Sequence, residues 1–336
     1  MRIRTAVAIA ISVTALGAVT AVAQTSDVTT PTAKGPVDSV TWAVYRETNS
    51  VDPIVAFDYP ENVAVTLLCD SLLRQQPDGS LAPGVALSVT VPKPTVYKIR
   101  LRSGVKFWDG SPLTSADVVF SLKRAANPKA GGFYAAVFSR VKAIAASGPL
   151  GVVITLSKPD YWLRGELASM PGVIVSKSFA TKQGKEFGSV KGGTMCTGPF
   201  KLASWKTGQG IRVTANGSYW DKALRPQVKT LTLKGVPDDG ALTAGLLTGE
   251  ISGTYPLQLT TLDKLRKDPA VKIYEGPSYA SDAFIVSNTK SGALADVKIR
   301  QAFSLAIDRE GLIKANWKGT AEVPHALANP GTVNPR

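Results

Sequence analysis

Apolar and polar positions change period several times along this chain. Residues 40–45, Val-Thr-Trp-Ala-Val-Tyr, form a strand-like run broken by Asn49 and Asp52-Pro53. Residues 62–74 set Val65, Leu68, Leu72 and Leu73 on or near one face, which predicts a helix. Residues 97–102, Tyr-Lys-Ile-Arg-Leu-Arg, alternate apolar and basic, the signature of a half-buried strand. Val105–Trp108 then reads as a strand, Asp109-Gly110 as a tight turn, and Thr114-Ser115-Ala116-Asp117 as a capping box. The helix that follows has Val118, Val119, Leu122 and Ala125 on its apolar face and stops at Asn127-Pro128. Further strands are predicted at 151–156, 200–205, 211–214, 228–234 and 284–288. Tyr161-Trp162-Leu163 opens a short helical or loop segment. One more helix starts at Pro237-Asp238-Asp239 and closes at Gly249, and another is capped by Asp296 and carries Phe303, Ala306, Ile307 and Ile313. Strands and helices mix without a regular βαβ rhythm, so the expected class is α/β with mixed sheets.

The first residues do not belong to that pattern. Arg2 and Arg4 precede an uncharged apolar run from Ala6 to Val19, and Ala21-Val22-Ala23 is a small-x-small cleavage pattern. Residues 1–23 are expected to be a secretory signal peptide cut before Gln24. Residues 24–38, rich in Thr, Pro and small side chains, read as a flexible leader. Cysteine is absent near the cleavage pattern, so no lipoprotein anchor is expected and the location is periplasmic or otherwise extracytoplasmic. The chain has 336 residues and a formal charge of +14, of which Arg2 and Arg4 supply two. The remaining Lys and Arg are scattered without a basic run, and export removes most nucleic-acid partners. Cys69 and Cys196 leave two choices, one disulfide or two free thiols; an oxidising compartment and an even count favour the disulfide.

Covalent chemistry has little material. The G-x-S-x-G elbow and the Walker A pattern are missing, and the only histidine, His325, sits in a Pro-rich tail. Val213 stands where a dinucleotide fingerprint beginning at Gly208 needs its third glycine. Asp238-Asp239 is a helix cap rather than an acid–base pair. Neither enzyme activity, nor a metal, nor a cofactor is expected. What remains is aromatic loop content: Tyr59, Phe133-Tyr134, Tyr161-Trp162, Tyr219-Trp220, Tyr255 and Tyr279. Several aromatics near element ends suit a ligand cleft, because aromatic faces give contact area without demanding one chemistry.

Five blocks carry a resemblance. They are Gly104–Ser121 (GVKFWDGSPLTSADVVFS), Thr197–Leu202 with Trp205, Asn216 with Tyr219-Trp220, Pro237–Ile251, and Val297–Arg309. In this order they resemble the family 5 extracellular solute-binding proteins, the peptide/nickel class that serves ABC importers. The resemblance implies two α/β lobes closing on a solute, with an extra subdomain in the first lobe. It divides the chain into residues 39–255, the first lobe, and 256–336, the start of a second lobe. Members continue past the last block and return to the first lobe, so a second lobe ending at Arg336 is expected to be incomplete, in a truncated product or a fragment. The tail from about Ala321 is expected to be poorly ordered.

The implied function is capture of a peptide-like or other small solute for membrane-embedded importer subunits, by a monomer. The alternative is a non-transporting interaction protein on the same truncated fold. Positions just outside strands, with adaptable side chains, nominate Thr48, Asn49, Tyr59, Met170, Met195, Tyr255 and Tyr279 as ligand-binding residues. The resemblance puts Cys69 and Cys196 together in the first lobe, where their disulfide is expected.

Overall fold

The computed structural model describes residues 35–257, 259, 261–274, 288–317 and 323. Residues 1–23, expected to be a signal peptide, Tyr279, His325, most of the strand expected at 284–288 and most of the tail lie outside these residues. The order of elements is β1 (Val37–Val44), α1 (Tyr59–Leu68), β2 (Leu73–Gln75), β3 (Leu81–Pro83), β4 (Ala86–Lys93), β5 (Val96–Leu101) and α2 (Ser115–Ala126). Next come β6 (Val141–Ala146), β7 (Gly151–Leu156), α3 (Leu163–Glu166), α4 (Lys177–Gln183), β8 (Phe200–Lys206) and β9 (Gly210–Ala215). The last are β10 (Val228–Gly235), α5 (Asp239–Thr248), β11 (Gly253–Thr254), α6 (Leu262–Leu265), α7 (Val297–Ala306) and α8 (Arg309–Trp317).

Two larger sheets organise them. A five-stranded mixed sheet has the order β11-β1-β10-β9-β8, and β1 runs parallel to both of its neighbours. Val37 pairs with Val228 and Val44 with Gly235, so a strand near the start is zipped to one from much later in the chain. Helices cover both faces, as a sheet apolar on both sides requires. Val65 and Leu68 of α1 share a core with Ile211, Val213 and Leu233, while Ala43 packs with Leu242 of α5 and Ile251 on the other side. A second, antiparallel sheet has the order β4-β5-β7-β6. Tyr97, Ile99 and Leu101 of β5 point into a core shared with Val118 and Leu122 of α2; Lys98 and Arg100 point to water.

Most elements fall where the pattern puts them, and three differ. The Val105–Trp108 stretch makes a single bridge, Lys106 to Pro112, and no strand, because Phe107 N–H turns back to Ser111 O at 2.9 Å across the Asp109-Gly110 turn. The predicted 62–74 helix begins earlier, capped by Asp58, and ends at Leu68. Cys69 is extended and tied to Cys196, with Cα atoms 4.9 Å apart. Leu72 and Leu73 therefore keep their burial but leave the helix; Leu73 starts β2. The helix capped by Asp296 stops at Ala306: Ile307 is extended, and Asp308 accepts the Gly311 N–H at 2.8 Å at the start of α8.

Two of the sequence blocks meet in one network around the buried Asp70. The Asp70 carboxylate accepts from Thr197 Oγ1 at 2.8 Å, Tyr219 Oη at 2.7 Å, Trp220 Nε1 at 2.8 Å and Arg74 at 3.1 Å. Arg74 also pairs with Asp221 at 2.6 Å, and the guanidinium groups of Arg74 and Arg102 lie 4.8 and 5.1 Å from the Trp220 ring centre. Burial first, then the neighbouring Asp70 charge, pushes the Tyr219 hydroxyl far above its ordinary pKa. Asn216 donates to Gly198 O at 3.0 Å, and Gly198 itself admits no side chain, since a Cβ there would lie 2.3 Å from Leu68 O. The Thr-Gly-Pro-Phe and Asn-x-x-Tyr-Trp blocks are thus fastened to the end of α1 beside the disulfide.

Candidate ligand-binding site

Because β1, β10 and β11 are parallel, their carboxyl ends open on one edge of the sheet, the edge where open α/β sheets place ligands. Tyr45 follows β1, Tyr255 follows β11, and the first turn of α1 brings Tyr59 between them. Tyr45 and Tyr59 stack with centroids 6.4 Å apart, and Tyr59 and Tyr255 are tilted by 58° at 5.0 Å. Trp42 Nε1 donates to Tyr59 Oη at 3.2 Å and fixes the middle ring. The outer rings stay open, Tyr45 38% and Tyr255 49% exposed. Gly235, at the end of β10, makes room for this turn: a Cβ there would sit 2.6 Å from Glu47 N.

Arg46 clips the loop to the helix. Its guanidinium donates to both Glu61 carboxylate oxygens at 2.7 Å and to Asp58 at 2.7 Å. Glu61 is buried and also accepts the Asn49 N–H at 2.8 Å. Asp58 caps α1 through Tyr59 N–H at 2.8 Å and accepts the Tyr45 hydroxyl. The bond to Glu61 raises the Arg46 pKa above its ordinary value. Burial alone would raise the Asp58 pKa, but bonds from Tyr45 and Arg46 hold it below the usual value.

Burial, and then the bond to Asp58, pushes the Tyr45 hydroxyl from 10.0 up to about 12. Neutral Tyr45 is therefore favoured by folding, and its contribution is complete below pH 10.0 and lost as pH rises through about 12. The Asp58 contribution has the opposite sign: it is present above the ordinary carboxylate pKa and lost as pH falls through the lowered value. A difference titration of tyrosinate absorbance, wild type minus Tyr45→Phe, should give a midpoint near 12. A midpoint at the ordinary 10.0 would contradict the clip.

The family model for bacterial extracellular solute-binding proteins, family 5 (middle), matches residues 80–335. The chain belongs to this family. Among curated family 5 relatives, the glutathione-binding protein GsiB of Pectobacterium atrosepticum is 32% identical over 225 residues, covering 67% of this chain and 43% of that protein. The murein tripeptide binding protein MppA of Escherichia coli superposes with a TM-score of 0.74 at 26% identity, covering 86% of this chain and 59% of that one. The oligopeptide-binding protein AppA of Bacillus subtilis, solved with a nonapeptide, gives a TM-score of 0.74 at 24% identity, covering 88% of this chain and 59% of that one. The two-lobed binding-protein fold expected from the blocks is the fold of these neighbours. The chain spans about half the length of the curated relatives it matches.

Among the residues nominated in this family 5 chain, four gather at the strand edge. Tyr59 and Tyr255 are in ring contact, Asn49 is exposed beside them on the clipped loop, and Thr48 is buried, donating to Pro60 O at 3.3 Å. Met170 packs on the core of α1, and Met195 on the core of α2. The disulfide between Cys69 and Cys196 is present. Sequence reasoning missed Trp42, Tyr45, Arg46, Asp58 and Glu61. A signal existed for two of them, since Asp58-Tyr59-Pro60-Glu61 is a helix start with an acidic cap, an early proline and an acid in the first turn.

Proposed function

We propose that this chain is the extracytoplasmic receptor of an ABC importer and that it captures a peptide-like solute at the tyrosine row. One observation carries the reading: two half-open tyrosine rings and a third between them stand at the carboxyl ends of parallel strands, on a loop locked by Arg46. Such rings hold apolar and planar parts of varied ligands, and the exposed Asn49 beside them offers amide hydrogen bonds. The likeness to proteins whose names specify glutathione and murein tripeptide supports the peptide-like class. Residues 39–255 form the lobe that carries the row, and membrane subunits of the importer receive the solute. Export through residues 1–23 fits this role, and no helix among the described residues is long and apolar enough to cross a membrane.

Mass spectrometry of small molecules released from freshly purified protein should reveal a bound peptide-like species. Calorimetry with that species should show Tyr59→Ala and Tyr255→Ala weakening binding by roughly tenfold or more each, from lost aromatic burial. Unchanged affinity in both variants would remove the tyrosine row from the site.

A further inference from the structure

We infer that one end of the four-stranded sheet is a docking patch for an anionic phospholipid surface, separate from the solute site. Residues 86–166 hold twelve Lys and Arg against four Asp and Glu, a net of +8 in a chain whose total is +14. These cations are scattered in sequence, and the sheet collects several of them. Antiparallel pairing brings the end of β4, the start of β5, the end of β7 and the start of β6 to one edge. There Leu156 N–H meets Thr95 O at 2.8 Å, and Ser157 N–H meets Arg140 O at 2.7 Å. Lys93, Arg140, Lys142, Lys158 and Arg164 are all exposed at or next to this edge.

The same edge presents two aromatic side chains with no packing role. Tyr161 is 85% exposed and Trp162 81%. They are not carried on a loose loop. Tyr97 Oη donates to Asp160 O at 2.5 Å, Trp162 N–H donates to the Asp160 carboxylate at 3.1 Å, and the next residue, Leu163, is fully buried. The backbone is pinned on both sides while the rings face outward. Of the nearby acids, Asp160 faces Arg140 at 3.9 Å, and Glu166 lies at the far end of α3 against Ser169. Lys98 and Arg100 on the outer sheet face stand beside Thr90, Ser88, Val153 and Gly151, which adds positive field without adding acid.

Tyr and Trp settle at the headgroup level of a bilayer, and Lys and Arg are drawn to anionic leaflets. Lysine is depleted from protein–protein interfaces, so three lysines among the five edge cations favour lipid over a protein partner. Docking here would hold the protein at the membrane by charge and two rings, reversibly and in a salt-dependent way.

Co-sedimentation of the purified full chain with phosphatidylcholine vesicles, and with vesicles containing phosphatidylglycerol, tests this. The N-terminal segment is common to all variants, so its contribution cancels. Binding should rise with the phosphatidylglycerol fraction and fall as salt is raised. Lys158→Gln should lower the partition constant by roughly fivefold, the worth of one surface cation. The double variant Tyr161→Ala/Trp162→Ala should lower it by roughly tenfold or more and leave solute affinity unchanged. Equal partition into the two vesicle types would overturn the proposal. So would a double variant that binds as wild type does, which would indicate a general polyanion site.

Discussion

Replacing Cys69 and Cys196 together with alanine is expected to lower stability by roughly 4–5 kcal/mol in the chain-entropy model. The bridge joins residues 127 positions apart, so it removes a long loop from the unfolded ensemble. Both cysteines are buried, at 4% and 0% exposure, so reductant alone should leave the native bridge intact until the protein opens. In urea the midpoint of the double variant should fall by about 1–2 M at a slope typical of this size. The location of the bridge adds a second effect. It joins the end of α1 to the residue before Thr197, whose hydroxyl is bonded to Asp70. Its loss should loosen the network that follows, and near-ultraviolet circular dichroism of Trp220 and Tyr219 would register that. An unchanged midpoint would show that the unfolded chain is already constrained by other means.

Asp70→Ala is expected to destabilise the protein by roughly 3–5 kcal/mol. The substitution removes one carboxylate and strands four donors: the Thr197 and Tyr219 hydroxyls, the Trp220 indole N–H and one Arg74 N–H. Tyr219 and Thr197 are buried, so water does not replace the lost acceptor without opening the structure. Arg74 keeps Asp221, which limits the loss to the inner half of the network. Asp70→Asn should cost less, because its amide oxygen still accepts while its N–H₂ faces donors it cannot satisfy. Thermal melts of the two variants should rank Ala below Asn below wild type. Equal melting of Ala and wild type would show that the four donors find other partners.

Both results depend on long-range contacts, and so does the limit of what the sequence reveals. The capping box at Thr114 was legible because its bonds are local: Thr114 N–H meets Asp117 at 3.0 Å, three residues away. The Lys98–Arg100 alternation on β5 was legible for the same reason, as one sheet face is core and the other water. Leu72 and Leu73 kept a helical spacing that the disulfide and the Asp70 network override. At the proposed site, Tyr59 and Tyr255 are legible as aromatics at element ends. The clip was not, because Arg46 meets Asp58 and Glu61 twelve and fifteen residues on, across a loop with no periodicity. Thioether adaptability nominates Met170 and Met195, but cores use that property as readily as ligand clefts, and both pack on cores.

The pairing of β1 with β10 sets a schedule for the chain. Val37 waits for Val228, 191 positions later, before its first ladder partner exists. At ordinary synthesis rates that interval is roughly 10–40 s. The four-stranded sheet, whose strands lie within residues 86–156, has all its partners far sooner. During the interval β1 has no sheet to join, and Ala43 and Val44, buried in the finished fold, stay accessible to chaperones. Late closure of this sheet thus leaves its N-terminal strand uncovered long after the four-stranded sheet has all its partners.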